Sequence, residues 1–170
     1  ILDYGLGNIK AFYNIYKSLN IKVNIAQSPS ELKSSEKLII PGVGSYDWSI
    51  KKLEESGFTS YLNDLALDKQ IPILGVCIGM QLMAKKSEEG LLNGFGWIDG
   101  EVHKFSKKIN NLDNCEDIGE DKLKKYILPH MGWNQINIDQ NNILLSGLEN
   151  SYFYFLHSYY FKSNKKDISI

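Results

Sequence analysis

The residue best suited to chemistry in this 170-residue chain is Cys77, which has a glycine two positions before it and another two positions after it. The apolar run 71–76 predicts a buried strand, and residues 80–84 predict the start of a helix. Together they form the G-x-S-x-G nucleophile elbow with cysteine in place of serine, a turn so tight that the flanking positions need glycine. The helix would aim unpaired N–H groups and its positive dipole end at the sulfur, which favours the nucleophilic thiolate.

The alternative is that Cys77 is an ordinary cysteine in a strand-to-helix turn, because unpaired cysteines are among the most buried residues. Glycines are common in such turns, so the pentapeptide alone does not separate the two possibilities. The choice therefore depends on the elements that position Cys77 and on what else they bring near it.

Composition excludes several classes of function. The chain is 43% hydrophobic and 23% charged, which is typical of one soluble globular domain. The formal net charge is −1 and all 19 cationic residues are lysine, so neither nucleic acid nor a membrane surface is an expected partner. Two cysteines in unlike settings favour free thiols in a reducing cytoplasm. We find no membrane-spanning run and no signal peptide, and the missing initiator Met suggests a trimmed N-terminus.

Strands and helices alternate through residue 86. Strands are predicted at 1–4, 23–26, 38–40 and 71–76, and helices at 9–20, 30–35, 45–55 and 58–69. This alternation predicts an α/β fold with a parallel central sheet and flanking helices. Ligands bind at the carboxyl ends of such strands, so 3–8, 41–44 and Cys77 should meet at one edge of the sheet.

The turn Gly5-Leu6-Gly7 contains two of the three glycines of a dinucleotide-binding fingerprint. Position 10, where the third glycine would stand, is Lys10. We therefore predict a tight turn here and no dinucleotide cofactor.

The second half of the chain predicts β-hairpins added to the α/β core. Strands are predicted at 101–105, 126–128, 135–138, near Leu144 and at 151–157. The last strand is apolar throughout and is expected to be buried on both faces. Residues 106–125 are rich in lysine, asparagine and acidic residues, which predicts a mobile insertion, and no role is expected for Cys115 within it.

Taken together, six stretches resemble the class I (triad-type) glutamine amidotransferases. They are DYGLGN at 3–8, LIIPGVG at 38–44, LGVCIGMQ at 74–81, SEE at 87–89, PHMGWN at 129–134 and LHSYY at 156–160. Within that family the chain is similar to the glutaminase subunits of imidazole glycerol phosphate synthase, for which PHMGWN is the most specific stretch. The resemblance implies a flavodoxin-like class I glutaminase fold in a single domain, 1–170, with 106–125 unmatched.

The resemblance also implies a reaction, the hydrolysis of glutamine to glutamate and ammonia through a thioester on Cys77. Family motifs place the oxyanion-hole N–H groups at Ile78 and near Val43. They assign glutamine binding to Gly44, Gln81, Glu89, Ser158 and Tyr159. Three of these have a plainer alternative: Gln81 could point to solvent, Glu89 could be one more loop carboxylate and Tyr159 could be only a strand residue.

The implied partner is a (β/α)8 cyclase subunit that receives the ammonia for histidine biosynthesis, with Met131 and Trp133 in the interface unless they belong to the core. The resemblance implies a heterodimer in the cytoplasm, L-glutamine as the substrate, and no cofactor, metal, nucleic acid or membrane.

The family's base and orienting acid come from a His-Pro-Glu stretch near the C-terminus, which residues 1–170 do not contain. The three histidines present are His103, His130 and His157, and none is expected to be the base. We expect a longer natural glutaminase whose His-Pro-Glu stretch follows residue 170, so that this piece alone is inactive. Three alternatives stay open: a pseudo-glutaminase that only binds the cyclase, a paralogue that feeds ammonia to a sugar-modifying synthetase, and an unrelated small-ligand-binding module.

Overall fold

The structure, a computed structural model, describes residues 1–105, 128–138 and 142–165. The insertion expected at 106–125, together with Cys115, lies outside the described residues. The strand expected at 126–128 also lies outside them, except for Leu128, which is not in a strand.

The first half of the chain builds a parallel sheet around β1 (Leu38–Gly42) and β2 (Ile73–Cys77). On the other side of β1, the Leu2 N–H donates to the Ile39 carbonyl at 2.9 Å, and Leu2 forms a parallel bridge with Ala26. The segment at Ala26, the segment at Leu2, β1 and β2 thus lie side by side in that order. Numbered along the chain, the four segments have the order 2-1-3-4, which is the flavodoxin-like order, and right-handed crossovers are expected for it. The predicted parallel α/β core is confirmed.

The strands predicted at 1–4 and 23–26 are wrong in extent, since only the bridge between Leu2 and Ala26 forms there. Ile21, just before the second of these segments, is 48% exposed. Ile1, Leu2, Tyr4 and Ala26 are nevertheless buried, each at most 8% exposed, so neither β-forming composition nor burial alone extends the pairing into a ladder.

The helices occupy the predicted places with shorter bounds. They are α1 (Ile9–Ser18), a 3-10 turn (Pro29–Leu32), α2 (Tyr46–Glu55) and α3 (Thr59–Asn63), which continues as a π-helical turn (Asp64–Asp68). Helix α1 ends before Asn20 because that residue takes a left-handed φ of 55°. The π turn is closed by the Lys69 N–H, which donates to the Asp64 carbonyl at 2.9 Å.

The core lies between this sheet and helices α2 and α3. Its fully buried side chains include Tyr46, Leu53, Phe58, Leu62 and Leu65. Burying large apolar side chains contributes about 1.5–3 kcal/mol each, so this cluster fixes α2 and α3 against the strands that carry the site.

The second half adds antiparallel and mixed pairings, as predicted. Its strands are β3 (Lys86–Ser87), β4 (Gly100–Lys104), β5 (His130–Gln135), β6 (Tyr152–His157) and β7 (Tyr159–Ser163). One sheet has the order β3-β4-β7, with β3 parallel and β7 antiparallel to β4, and β5 pairs antiparallel with β6.

Three details of the predicted second half are wrong. The strand expected at 135–138 lies earlier, at β5, and Leu144 lies in a turn. Strand β6 is not buried on both faces: Tyr152 and Leu156 are 60% and 57% exposed. An apolar run shows that both faces could be buried, but the described residues cover only one of them.

The longest helices within the described ranges have ten residues, and none of them is long and apolar enough to cross a membrane.

Candidate active site

The three strand ends singled out in the sequence meet at one edge of the parallel sheet. Gly42 pairs with Cys77 at the last register position of β1 and β2. The Tyr4 hydroxyl donates to the Pro41 carbonyl at 3.0 Å, and a Cβ added at Gly7 would stand 2.9 Å from the Pro41 Cβ. The expected convergence is therefore confirmed, with Cys77 at the end of β2 and the Pro41 loop next to it.

Cys77 has the strained backbone of a nucleophile elbow. Its φ and ψ are 57° and −118°, a backbone conformation that residues other than glycine rarely adopt, and the residue is exposed. The buried-cysteine alternative is wrong in this structure. The conformation pushes the sulfur out from the end of β2, where a substrate can reach it.

The two flanking glycines are needed for steric reasons. A Cβ at Gly75 would stand 2.6 Å from the Gly79 carbonyl, and a Cβ at Gly79 would overlap the carbonyl oxygen of Ile40. Backbone atoms cannot move aside as a flexible side chain can. The elbow therefore folds only with glycine at both positions.

The helix after Cys77 is shorter and starts earlier than predicted. It is α4 (Ile78–Gln81), a single turn, and residues 82–84 already lead toward β3. The Lys85 N–H donates to the Gly100 carbonyl at 3.0 Å, and β3 then pairs with β4. The Ile78 N–H still lies in the first turn, where backbone N–H groups have no intrahelical acceptor.

The backbone of the loop after β1 packs directly against this first turn. A Cβ at Gly42 would stand 2.5 Å from the Gly79 nitrogen and 2.8 Å from the Ile78 Cβ. Val43 follows with a half-exposed side chain, and Gly44 has a φ of 88°. The loop and the helix turn are thus close enough for backbone N–H groups from both to face one substrate oxygen.

Gln81 and Glu89 are in direct contact, through a closed ring of hydrogen bonds that also includes Ser87. The Gln81 Nε2 donates to the Glu89 Oε2 at 2.8 Å, and the Ser87 hydroxyl donates to the Gln81 Oε1 at 2.8 Å. The Glu89 N–H donates back to the Ser87 Oγ at 3.1 Å. Gln81 is only 7% exposed, so the solvent-facing alternative is wrong. The ring fixes the direction of the Glu89 carboxylate.

Ser158 and Tyr159 lie at the junction of β6 and β7. The Ser158 carbonyl accepts the Phe105 N–H at 3.0 Å, and Tyr159 pairs with Lys104 on β4. Ser87 pairs with Val102 on the other side of the same strand. Ser87 of the hydrogen-bonded ring and Tyr159 therefore lie on opposite sides of β4 in one three-stranded sheet.

The histidines have contacts of their own. The His157 Nδ1 faces the Tyr159 carbonyl at 2.8 Å, which requires a proton on that nitrogen, and the His157 Nε2 then accepts from the His130 Nδ1 at 2.8 Å. The His103 Nδ1 lies 3.3 Å from the Glu88 Oε1. Within residues 1–105, 128–138 and 142–165, none of them forms a hydrogen bond with Cys77, consistent with the expectation that none is the base.

Met131 and Trp133 lie on one exposed face of the β5–β6 pair. Their side chains are 59% and 67% exposed, and the Trp133 ring packs edge-on against Tyr154 with ring centroids 5.5 Å apart. The core alternative for both is wrong among the described residues. Contiguous exposed apolar side chains of this kind mark an interaction surface.

Sequence reasoning missed Ser87, Tyr4 and Asp47. Ser87 stands in the SEE stretch, but nothing in the sequence indicates that its hydroxyl closes a ring with Gln81. Tyr4 supports the Pro41 carbonyl, and burial raises its pKa to about 12, so it remains a neutral donor. Asp47 holds the loop that follows Glu89 through backbone hydrogen bonds.

Comparison with known proteins agrees with this geometry. The family model for class I glutamine amidotransferases matches residues 1–170. The chain is 49% identical to the imidazole glycerol phosphate synthase subunit HisH of Leptospira borgpetersenii, over 99% of this chain and 78% of that protein. It is 42% identical to the subunit of the same name from Bdellovibrio bacteriovorus, over 100% of this chain and 78% of that protein.

A solved structure described as a glutamine amidotransferase has the same fold, with a TM-score of 0.51 and 20% identity over 61% of this chain and 55% of that one. The strained cysteine elbow, the family model and the similarity to the HisH subunits agree, and the chain belongs to the class I glutamine amidotransferases.

Proposed function

We propose that this chain is the glutaminase subunit of an imidazole glycerol phosphate synthase, which releases ammonia from L-glutamine in the cytoplasm. The observation that carries the proposal is the exposed Cys77 in a strained elbow, at the edge where the Pro41 loop and the Gln81–Glu89 ring also lie. Relatives at 49% and 42% identity that bear the name of this subunit favour the histidine pathway over a sugar-modifying paralogue.

The reaction proceeds through a covalent intermediate on Cys77. The thiolate attacks the carboxamide carbon of glutamine, forming a C–S bond and moving the carbonyl π electrons onto oxygen. Collapse of this tetrahedral species breaks the C–N bond, and the leaving nitrogen takes up a proton to depart as ammonia. Water then attacks the thioester, releasing glutamate and restoring the thiolate, so that glutamine and water give glutamate and ammonia.

Backbone N–H groups stabilise the oxyanion that forms in both steps. The proposal assigns one donor to Ile78, in the first turn after the nucleophile, and the other to the Val43 region of the facing loop. The close packing of Gly42 on Gly79 supports this pairing. Loss of one such donor typically costs about 3–4 kcal/mol of transition-state stabilisation.

The amino-acid end of glutamine is assigned to the ring and the neighbouring sheet. Glu89 offers a carboxylate for the substrate ammonium group, and Gln81 orients it with a 2.8 Å hydrogen bond. Gly44 is assigned to the substrate chain, and Ser158 and Tyr159, at the β6–β7 junction, are assigned to the same amino-acid end of glutamine.

Ammonia passes to a (β/α)8 cyclase partner in a heterodimer. The exposed face with Met131 and Trp133 is the proposed contact, because aromatic and methionine side chains are enriched where protein surfaces meet. No residue of 1–170 is assigned as the general base, and activity is therefore measured on the subunit in complex with its cyclase.

The test is glutamate release from glutamine by the natural complex and its Cys77→Ala variant. We expect the variant to lose the activity and to keep the cyclase bound. Cys115→Ala is the matched control and should retain activity. Undiminished glutamate release by Cys77→Ala would refute the mechanism, and a cyclase-binding wild type that never hydrolyses glutamine would identify a pseudo-glutaminase.

A further inference from the structure

The carboxylate of Asp47 connects two parts of the chain that are more than forty residues apart. Asp47 lies in the first turn of α2, and its Oδ1 accepts the N–H groups of Leu91 and Leu92 at 2.9 and 3.0 Å. The Leu91 N–H also lies 3.0 Å from the Oδ2. The backbone N–H groups of Leu92 and Leu91 lower the pKa of Asp47, because hydrogen bonds to the ionised carboxylate favour that form and are charge-assisted.

Gly90 allows this contact to form. A Cβ at position 90 would overlap the Asp47 Oδ1 and would stand 2.8 Å from the Tyr46 ring carbon Cδ1. The backbone of residues 90–92 therefore lies directly on the start of α2. Only glycine at position 90 permits so close an approach.

Glu89 stands between this contact and the hydrogen-bonded ring described above. On its N-terminal side, the Glu89 N–H donates to the Ser87 Oγ at 3.1 Å, and its carboxylate accepts from Gln81. On its C-terminal side, Asp47 fixes the next backbone N–H groups at 91 and 92. The backbone that carries Glu89 is thus fixed on both sides.

Helix α2 also follows directly from the loop that faces Cys77. Only Ser45 separates Gly44 from the first residue of α2, and Tyr46 at that position is fully buried. A bond from Asp47 to the Glu89 loop therefore sets the distance between the proposed oxyanion donor near Val43 and the proposed ammonium-binding carboxylate.

We propose that Asp47 is a positioning residue that holds Glu89 at the distance from Cys77 that the amino-acid end of glutamine requires. The inference rests on the proposed function of the chain. It predicts that Asp47 governs recognition of the substrate α-ammonium group and not the attack at the carboxamide.

A merely structural role would act differently. If Asp47 only stabilised the loop, its loss would lower stability and affect all substrates alike. If Asp47 positions Glu89, its loss weakens the binding of glutamine. It does not weaken the binding of an analogue that lacks the α-amino group, such as glutaramate, because that analogue has no ammonium for Glu89 to bind.

The experiment measures kcat and KM for glutamine and for glutaramate with the natural subunit in complex with its cyclase. In Asp47→Asn we expect KM for glutamine to rise about tenfold with kcat nearly unchanged, as loss of a charge-assisted hydrogen bond implies. The preference for glutamine over glutaramate should fall by the same factor. Gly90→Ala disturbs the same contact from the other side and should give the same change.

Two further variants make the result decisive. Asp64→Asn is the matched control: Asp64 pairs with Lys69 at 2.9 Å on the surface, and the change should leave KM and the preference unaltered. Glu89→Gln is the benchmark and should abolish the preference.

An unchanged preference in Asp47→Asn and Gly90→Ala, beside a lost preference in Glu89→Gln, would overturn the inference while leaving the proposed function intact. Equal losses for both substrates would also overturn it, since they would show a structural role. Failure of the wild-type complex to hydrolyse glutamine would instead refute the proposed function.

Discussion

Replacing Cys77 by glycine should make the protein inactive and at the same time more stable than replacing it by alanine. The reason is the backbone: φ of 57° and ψ of −118° strain every residue that has a Cβ, whereas glycine adopts them freely. The cysteine side chain is exposed, so its removal leaves no cavity in the core.

The expected magnitude is the difference between two effects. Release of the backbone strain favours the folded glycine variant by about 1–3 kcal/mol. The greater freedom of glycine in the unfolded chain opposes this by about 0.5–1 kcal/mol relative to alanine. The net stabilisation is about 1 kcal/mol, which raises the melting temperature by about 3 °C in a protein of this size.

The assay is thermal unfolding of the natural subunit, followed by circular dichroism, for Cys77→Gly and Cys77→Ala side by side. The same two substitutions at Lys33 provide the control, because Lys33 is exposed and has a φ of −56°. At position 33, the glycine variant should be less stable than the alanine variant. If Cys77→Gly is also less stable than Cys77→Ala, the elbow is not strained and the reasoning is refuted.

Three further changes should follow from the packing. Gly79→Ala should lower the free energy of unfolding by about 1–3 kcal/mol in urea unfolding, because the alanine Cβ would overlap the Ile40 carbonyl. An unaltered urea midpoint would contradict this. Tyr46→Phe should stabilise by about 1–2 kcal/mol at pH 7, since the buried hydroxyl has no hydrogen-bond partner among the described residues. Burial raises the pKa of Tyr46 to about 12, above its unfolded value, so wild-type stability should fall as pH rises from 10 to 12 and the variant should lose less. Trp133→Ala should weaken cyclase binding about 30-fold in titration calorimetry with little effect on melting, whereas Lys33→Ala, at an exposed position outside the β5–β6 pair, should change neither.

The elbow was predictable from sequence because its constraints are local. The spacing of Gly75, Cys77 and Gly79 specifies a turn whose clashes arise within five residues and with the adjacent strand. The meeting of strand ends was predictable for a similar reason, since parallel strands joined by helices bring their carboxyl ends to one edge.

The bounds of the elements were less predictable because they depend on partners. The segment ending at Ala26 has the composition of a strand but forms one bridge, and β5 lies five residues before its predicted place. In both cases the composition was compatible with a strand, and pairing with a neighbour decided where the strand formed.

The fold class, the position of Cys77 and the need for glycine around it follow from the amino-acid sequence, because periodicity and tight-turn sterics are properties of neighbouring residues. The hydrogen bonds of Ser87 and Gln81 that orient Glu89, the contact of Asp47 with Leu91 forty-four residues away, and the exposed face of β6 became visible only in the folded chain. The physical reason is that hydrogen bonds and burial between distant segments depend on how the sheet stacks them, and no local pattern encodes that distance.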